Sequence, residues 1–211
     1  MQDVKEFYFI RHGQTEWNAI RRMQGQWNSN LNETGRRQAD INGHFLAGLD
    51  IEHMVASPLD RTRQTAEIIN RHLKVNVEFD DRIKEWDCGD WSGEMWDEVS
   101  HKWPEEFSAW QADRFHYRGP NCENYPDMID RARPFLDEIV QLEHRKIAIV
   151  SHGIIGRIMV SILLGHDEQE MFSFSQSNDT IFHLVQAGEG FHTQHFVAGE
   201  GPLPGLPDST Y

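Results

Sequence analysis

Apolar positions fall into two patterns along this chain, and the elements they predict alternate. Phe7, Tyr8, Phe9 and Ile10 form an unbroken apolar run, and Lys146–Val150 repeats it with Ile147, Ala148, Ile149 and Val150. Short runs apolar at every position fit strands buried on both faces of a parallel sheet. Glu52–Ala56, closed by Ser57-Pro58, and Val75–Phe79 read as two further strands. Between these runs the apolar spacing becomes helical. It predicts a helix from a cap at Asn32 or Thr34 through Ala39 and Phe45 to about Ala47. A second covers Leu59–Leu73, with Ala66, Ile69 and Leu73 on its apolar side. A third covers Pro126–Glu143, and a fourth runs from Ile154 to Leu164 and stops at Gly165.

Thr180–Val185 and Phe191–Val197 read as late strands joined in a hairpin around Gly188-Glu189-Gly190. The stretch from Gly199, with three prolines, three glycines and no period, reads as a surface extension over 199–211. Trp96, Val99, Trp103, Phe107 and Trp110 step by three, four, four and three, which is one helical stripe. Pro104 marks either the start of a second helix or a kink. Packing of these rings onto the sheet is the simpler reading, and roofing of a pocket the sharper one.

No repeat or low-complexity linker divides the chain, so the alternation predicts one α/β domain over 1–211. Its expected architecture is a three-layer sandwich with a mainly parallel central sheet. A helical insertion at about 93–121 is expected over the ligand-binding edge.

Composition narrows the partners. Of 211 residues, 38% are hydrophobic and 26% charged, a globular balance, and the formal net charge is −14. That charge argues against nucleic acid and anionic membranes. It leaves anionic small molecules open, because screening acts beyond roughly 8 Å at physiological salt and clustered arginines set a local field. No apolar run reaches the length of a membrane span, the first residues lack a signal-peptide pattern, and two cysteines make no disulfide framework. A cytoplasmic setting is the expectation, and a homodimer is compatible with it.

The chemistry begins where the first strand ends. Arg11, His12 and Gly13 follow Ile10, and Ser151, His152 and Gly153 follow Val150. Ligands of open α/β sheets bind outside the carboxyl ends of the strands, so both histidines are expected at one cleft. One histidine can attack phosphorus while its partner, with Arg11 and Arg61, neutralises the equatorial oxygens. Glu85, at the end of the run after Val75, is the best candidate for protonating the leaving oxygen, with Asp87 next. Asn18 and Gln24 are neutral donors on the adjoining loop.

These residues resemble the histidine phosphatase superfamily, the phosphoglycerate mutase-like proteins. The matching elements are Arg11-His12-Gly13-Gln14-Thr15-Glu16-Trp17-Asn18, Arg22-Met23-Gln24-Gly25 and Ser57-Pro58-Leu59-Asp60-Arg61-Thr62-Arg63-Gln64-Thr65-Ala66. Glu85 with Gly89, and Ser151-His152-Gly153, complete the order. The resemblance implies that His12 becomes a phosphohistidine, that Arg11, Arg61 and His152 hold the phosphoryl group, and that Glu85 is the proton donor. Gly25 and Gly153 enter the expected site through the same motifs. No metal and no cofactor are implied. The pattern departs at Asn28-Ser29-Asn30-Leu31-Asn32, at Ser92 and at Cys122-Glu123-Asn124, all outside the phosphoryl centre.

The resemblance is closest to the broad-specificity phosphatase branch. A phosphomonoester hydrolase acting on a small phosphorylated metabolite is therefore the first expectation. A cofactor-dependent phosphoglycerate mutase is the second, although the insertion carries no adjacent arginine pair. An inactive phosphate-binding module comes last, against the intact set of five. Arg114, His116 and Arg118 in the insertion are candidates to reach a second charged group, and Arg157 reads as a packing or ion-pair residue. His192 and His195, three apart on a strand, point to opposite faces and make no metal pair. Cys88 and Cys122 are expected to border the cleft, where oxidant sensing is the sharper reading and inertness the simpler one.

Overall fold

The computed structural model describes residues 4–209. The elements run β1 (Glu6–Arg11), α1 (Glu16–Ala19), α2 (Glu33–Ala47), β2 (His53–Ala56), α3 (Asp60–Leu73) and β3 (Val77–Phe79). They continue with α4 (Trp96–Lys102), α5 (Pro104–Ala112), α6 (Tyr125–Ile139), β4 (Lys146–Ser151) and α7 (Gly153–Leu164). The chain ends through α8 (Glu168–Met171), β5 (Thr180–Ala187), β6 (Gly190–Val197) and β7 (Glu200–Pro204).

One seven-stranded sheet has the order β3-β2-β4-β1-β5-β6-β7. Strands β1 to β4 are mutually parallel, β5 pairs antiparallel with β1, and β6 turns back again. The sheet is therefore mixed and mostly parallel.

Alternation along the buried strands creates the layers. Phe7 and Phe9 pack with Ile147, Ile149 and the apolar sides of α6 and α7. Tyr8 and Ile10 face the other way, with Ala148, Val150, Leu46 of α2 and Ile69 of α3. Each strand thus buries both sets of side chains, and burial of a large apolar side chain is worth about 1.5–3 kcal/mol. In register, Phe7 lies opposite Ile147 and Arg11 opposite Ser151, so β1 and β4 end side by side.

The structure corrects several boundaries. The third helix stops at Ile139 rather than Glu143, and β3 begins at Val77 rather than Val75. Asn32 is the cap of α2, its side chain accepting from Gly35 N–H at 2.9 Å. Pro104 starts a second helix: Trp103 ends α4 and precedes α5, with the proline in the first turn where its missing N–H costs nothing. The stretch from Gly199 is not merely a surface extension. Its residues 200–204 form β7, which pairs with β6. All five are exposed, so this strand is built from backbone pairing and carries no apolar signature.

Candidate active site

The carboxyl end of β1 delivers Arg11 and His12 into the same cleft that β4 fills with Ser151 and His152. A close backbone contact shapes the loop after His12. A Cβ on Gly13 would sit 2.2 Å from the Gly35 carbonyl oxygen, so the loop lies directly on the first turn of α2. The side chain of Thr65 accepts from Gly13 N–H at 3.1 Å, and Asn178 donates to the His12 carbonyl at 2.7 Å.

His12 is buried, and its Nδ1 lies 2.8 Å from the carbonyl oxygen of Gly13. A carbonyl only accepts, so Nδ1 carries the proton and Nε2 keeps its lone pair. The Nε–H of Arg61 reaches that Nε2 at 3.2 Å and Nδ1 of His152 at 3.1 Å. The two imidazoles meet edge to face, with centroids 5.3 Å apart. His152 completes its bonding at Nε2, 2.7 Å from the hydroxyl of Ser57.

Arg61 is held from behind. Its other guanidinium nitrogens donate to the carbonyls of Trp27 at 2.9 Å and Gly25 at 2.7 Å, and the residue is 1% exposed. Burial lowers its pKa to about 10, so it remains a cation at neutral pH. Arg11 donates to the carbonyl of Gln176 at 2.6 Å and lies against Gly153, where a Cβ would come within 3.3 Å of the guanidinium.

Burial, then the charges of Arg61 and Arg11, hold His12 well below the usual histidine range. Burial, Arg61 and the neighbouring His12 do the same to His152. Both rings are therefore neutral near pH 7, beside two permanent cations. The local field is positive despite the chain's overall charge of −14.

Glu85 sits at the start of α7, directly after His152. Its carboxylate accepts from Ile154 N–H at 3.1 Å, from Ile155 N–H at 3.1 Å and from Trp86 N–H at 3.0 Å. It thus caps orphan donors of the helix whose preceding residue is His152. Its carbonyl is clamped by Arg131 at 3.0 Å and Gln26 at 3.2 Å. Asp87, the second acid candidate, instead accepts from Gly89 N–H at 3.0 Å within its own loop.

The remaining expected residues divide. The amide oxygen of Asn18 accepts from Thr15 N–H at 3.1 Å, and that of Gln24 from the Thr15 hydroxyl at 3.0 Å, which leaves their NH2 groups as the donor ends. Gly25 acts through its carbonyl, on Arg61. In the insertion, Arg118 is bonded to Asp127 at 2.6 Å, and His116 lies between Asp113 and Glu168. Arg114 stands apart from that pairing, 4.9 Å over the Trp110 ring. With Trp86, Tyr117, Tyr125 and Ile154 it lines a small cavity beside the loop that begins at Glu85. Of the helical stripe, Trp96, Trp103 and Phe107 pack against the core, while Trp110 packs there and also lines the cavity, beside Trp86.

Arg157 lies over Phe172 and donates to the Tyr125 hydroxyl, as a packing residue would. The Nδ1 of His195 lies 2.9 Å from the Gly205 carbonyl, while His192 is exposed. Cys88 and Cys122 are free and buried, and burial raises both thiols, Cys122 to about 12.

Ser57, Thr65, Gln176 and Asn178 were not assigned from the sequence. Ser57 and Thr65 lie inside a matched motif, so their place beside Arg61 was available. Gln176 and Asn178 hold backbone or are used through it, and such roles leave no residue-type signal.

Known proteins resemble this chain over most of its length. The model of the histidine phosphatase superfamily, branch 1, matches residues 7–198. Phosphoserine phosphatase 1 of Hydrogenobacter thermophilus is 33% identical over 170 residues, 80% of this chain and 81% of that protein. A probable phosphoglycerate mutase, GpmB, of Erwinia tasmaniensis is 38% identical over 161 residues, 76% of this chain and 75% of that protein. Among solved structures, a mycobacterial glucosyl-3-phosphoglycerate phosphatase superposes with a TM-score of 0.79 at 25% identity, covering 94% of this chain and 100% of that one. With the two strand-end histidines, Arg11 and Arg61 converging in one cleft, the chain belongs to the histidine phosphatase superfamily, branch 1.

Proposed function

We propose that this protein is a phosphomonoester hydrolase that works through a phosphohistidine on His12. The observation that carries the reading is the hydrogen bond between His12 Nδ1 and the Gly13 carbonyl, which leaves Nε2 as a neutral nucleophile facing Arg61. In the first step the Nε2 lone pair forms the N–P bond as the P–O bond to the leaving group breaks. The imidazole becomes cationic, and the Gly13 carbonyl at Nδ1–H stabilises that charge. Arg61, now between the rings, turns its Nε–H to a phosphoryl oxygen, and Arg11 neutralises another. The arriving dianion favours protonation of His152, which then adds a third donor. The NH2 groups of Asn18 and Gln24 are the neutral donors nearest this group.

Glu85 protonates the leaving alkoxide. In the second step the carboxylate takes a proton from water as the water oxygen attacks phosphorus. The N–P bond breaks, its electron pair returns to Nε2, and phosphate leaves. Arginines and histidines supply all the charge stabilisation, so no metal or cofactor takes part in this reading.

The substrate is a small phosphorylated metabolite. Its organic part meets the aromatic cavity at Trp86, Trp110 and Tyr125, with Arg114 available to an anionic substituent. Arg118 and His116 are already bonded to acids, which favours hydrolysis over a mutase, where a second phosphate must be gripped during reorientation. A panel of phosphomonoesters assayed for phosphate release tests the reading. Isomerisation of phosphoglycerate without phosphate release would replace it with the mutase. The reading places the enzyme in the cytoplasm, together with its small phosphorylated substrate. Among the described residues no helix is long and apolar enough to cross a membrane.

A further inference from the structure

Three side chains of metal-ligating types converge at the exposed seam between α2 and α3. Asp40 and His44 lie four apart on α2 and therefore share one side of it, and His72 lies in the last turn of α3. Nε2 of His72 is 2.8 Å from one Asp40 oxygen, and Nε2 of His44 is 3.9 Å from the other. The two imidazole centroids are 4.1 Å apart, and one ligand atom from each residue falls within 4.8 Å of the others. Among the described residues this is the one such group of three.

The packing prepares the group. At Gly43 of α2 a Cβ would meet Cδ2 of His72 at 2.5 Å, so the missing side chain gives the ring its seat against the helix backbone. The His72 side chain is 20% exposed, while Asp40 is 53% and His44 70% exposed. One ligand is fixed, and two face water and can close on an ion. With zinc bonds of about 2.0–2.2 Å, tetrahedral ligand atoms stand about 3.3 Å apart, between the two separations seen here. Two imidazoles and one carboxylate, with a fourth position open to water, suit zinc and its late first-row neighbours rather than calcium or magnesium.

We propose that Asp40, His44 and His72 form a binding site for a zinc-class divalent cation that clamps α2 to α3. The ion touches no reacting group: His72 lies eleven positions beyond Arg61, roughly 16 Å of helix. It ties together the two helices that position the centre from their other ends. The first turn of α2 carries Gly35 against Gly13, and the first turn of α3 carries Arg61. The site contributes stability and does not rest on the phosphatase reading.

The test uses the full chain, stripped with chelator and titrated with zinc chloride alone, followed by calorimetry and thermal denaturation. One ion should bind per chain, and the melting temperature should rise by about 5–10 °C at free zinc about 100-fold above its Kd. His44→Gln, at an exposed position, should keep the metal-free melting temperature and lose the zinc-dependent rise, as should Asp40→Asn. His101→Gln, at another exposed histidine, should keep the rise. Absence of zinc binding by the parent, or an unchanged zinc response in His44→Gln, would overturn the proposal. A response abolished by His12→Ala but kept by His44→Gln would also overturn it, by moving the ion to the phosphoryl centre.

Discussion

Nε–H of Arg61 points at Nε2 of His12 across 3.2 Å, and the same hydrogen is shared with His152 Nδ1 at 3.1 Å. An arginine at the junction of two neutral imidazoles keeps both lone pairs turned into the cleft. It also keeps both rings from protonating. A phosphoryl group entering there finds a cation ready to turn toward it and a nucleophile ready to be released.

Arg61→Lys should therefore fail despite keeping the charge. Lysine has three donors on one compact head and cannot span the carbonyls of Gly25 and Trp27 while reaching both rings. We expect kcat to fall at least about 10²-fold, the scale set by losing one preorganised donor to a transition-state oxyanion. Leaving two buried carbonyls unpaired should also lower the melting temperature. Steady-state kinetics with thermal denaturation checks both effects, and a variant near parental in kcat would remove Arg61 from the mechanism.

The pH profile follows from the two depressed histidines. His12 and His152 stay neutral through their usual range near 6.5, so kcat/KM should remain flat from pH 8 through 6.5 and fall only in more acid solution. The sign for stability is the same. The unfolded chain takes up protons on these histidines as pH drops below about 6.5, while the folded chain resists. Their contribution is thus fully present above that pH and is lost toward the depressed folded values. A kcat/KM limb with a midpoint above 6.5 on the acid side would contradict the neutral nucleophile.

Ser57→Ala should separate positioning from chemistry. The hydroxyl meets His152 Nε2 at 2.7 Å and touches no reacting atom. Its loss should lower kcat by a smaller factor than His152→Ala, with KM for p-nitrophenyl phosphate little changed, and Ser57→Thr should restore part of the rate. Equal losses for Ser57→Ala and His152→Ala would give the serine a direct role.

Glu85→Gln should divide substrates by leaving group. General acid catalysis typically contributes about 10²–10⁴-fold, and an alkyl ester needs it while p-nitrophenyl phosphate barely does. Phosphorylation of His12 in single turnovers should collapse on sugar phosphates and persist on the aryl ester. The same proportional loss on both would move the acid role away from Glu85, and Asp87 would be tested next.

Much of this arrangement could be read from the residues, for a physical reason. Strands β1 and β4 are buried on both faces, so their sequences are apolar throughout and their ends are sharply marked by Arg11-His12-Gly13 and Ser151-His152-Gly153. The parallel register of Arg11 with Ser151 follows once both are central strands. Legibility fails where structure rests on backbone alone. Strand β7 exposes all its side chains, and α8 is only four residues long. Gln176 serves Arg11 through a carbonyl that any residue possesses. The grip of Glu85 on Ile154 and Ile155 was equally hidden, because its partners are main-chain N–H groups.

The most direct test of the account is chemical trapping of the intermediate. Glu85→Gln should form the phosphoenzyme from p-nitrophenyl phosphate and hydrolyse it slowly, because water loses its general base. Rapid mixing should then release nitrophenol in a burst of about one equivalent per chain, as expected when a covalent intermediate accumulates. Peptide mapping under alkaline conditions should find acid-labile phosphate on His12, and His12→Ala should show neither burst nor label. A burst with the phosphate on another residue, or full turnover without any trapped phosphate, would contradict the assignment of His12 as nucleophile.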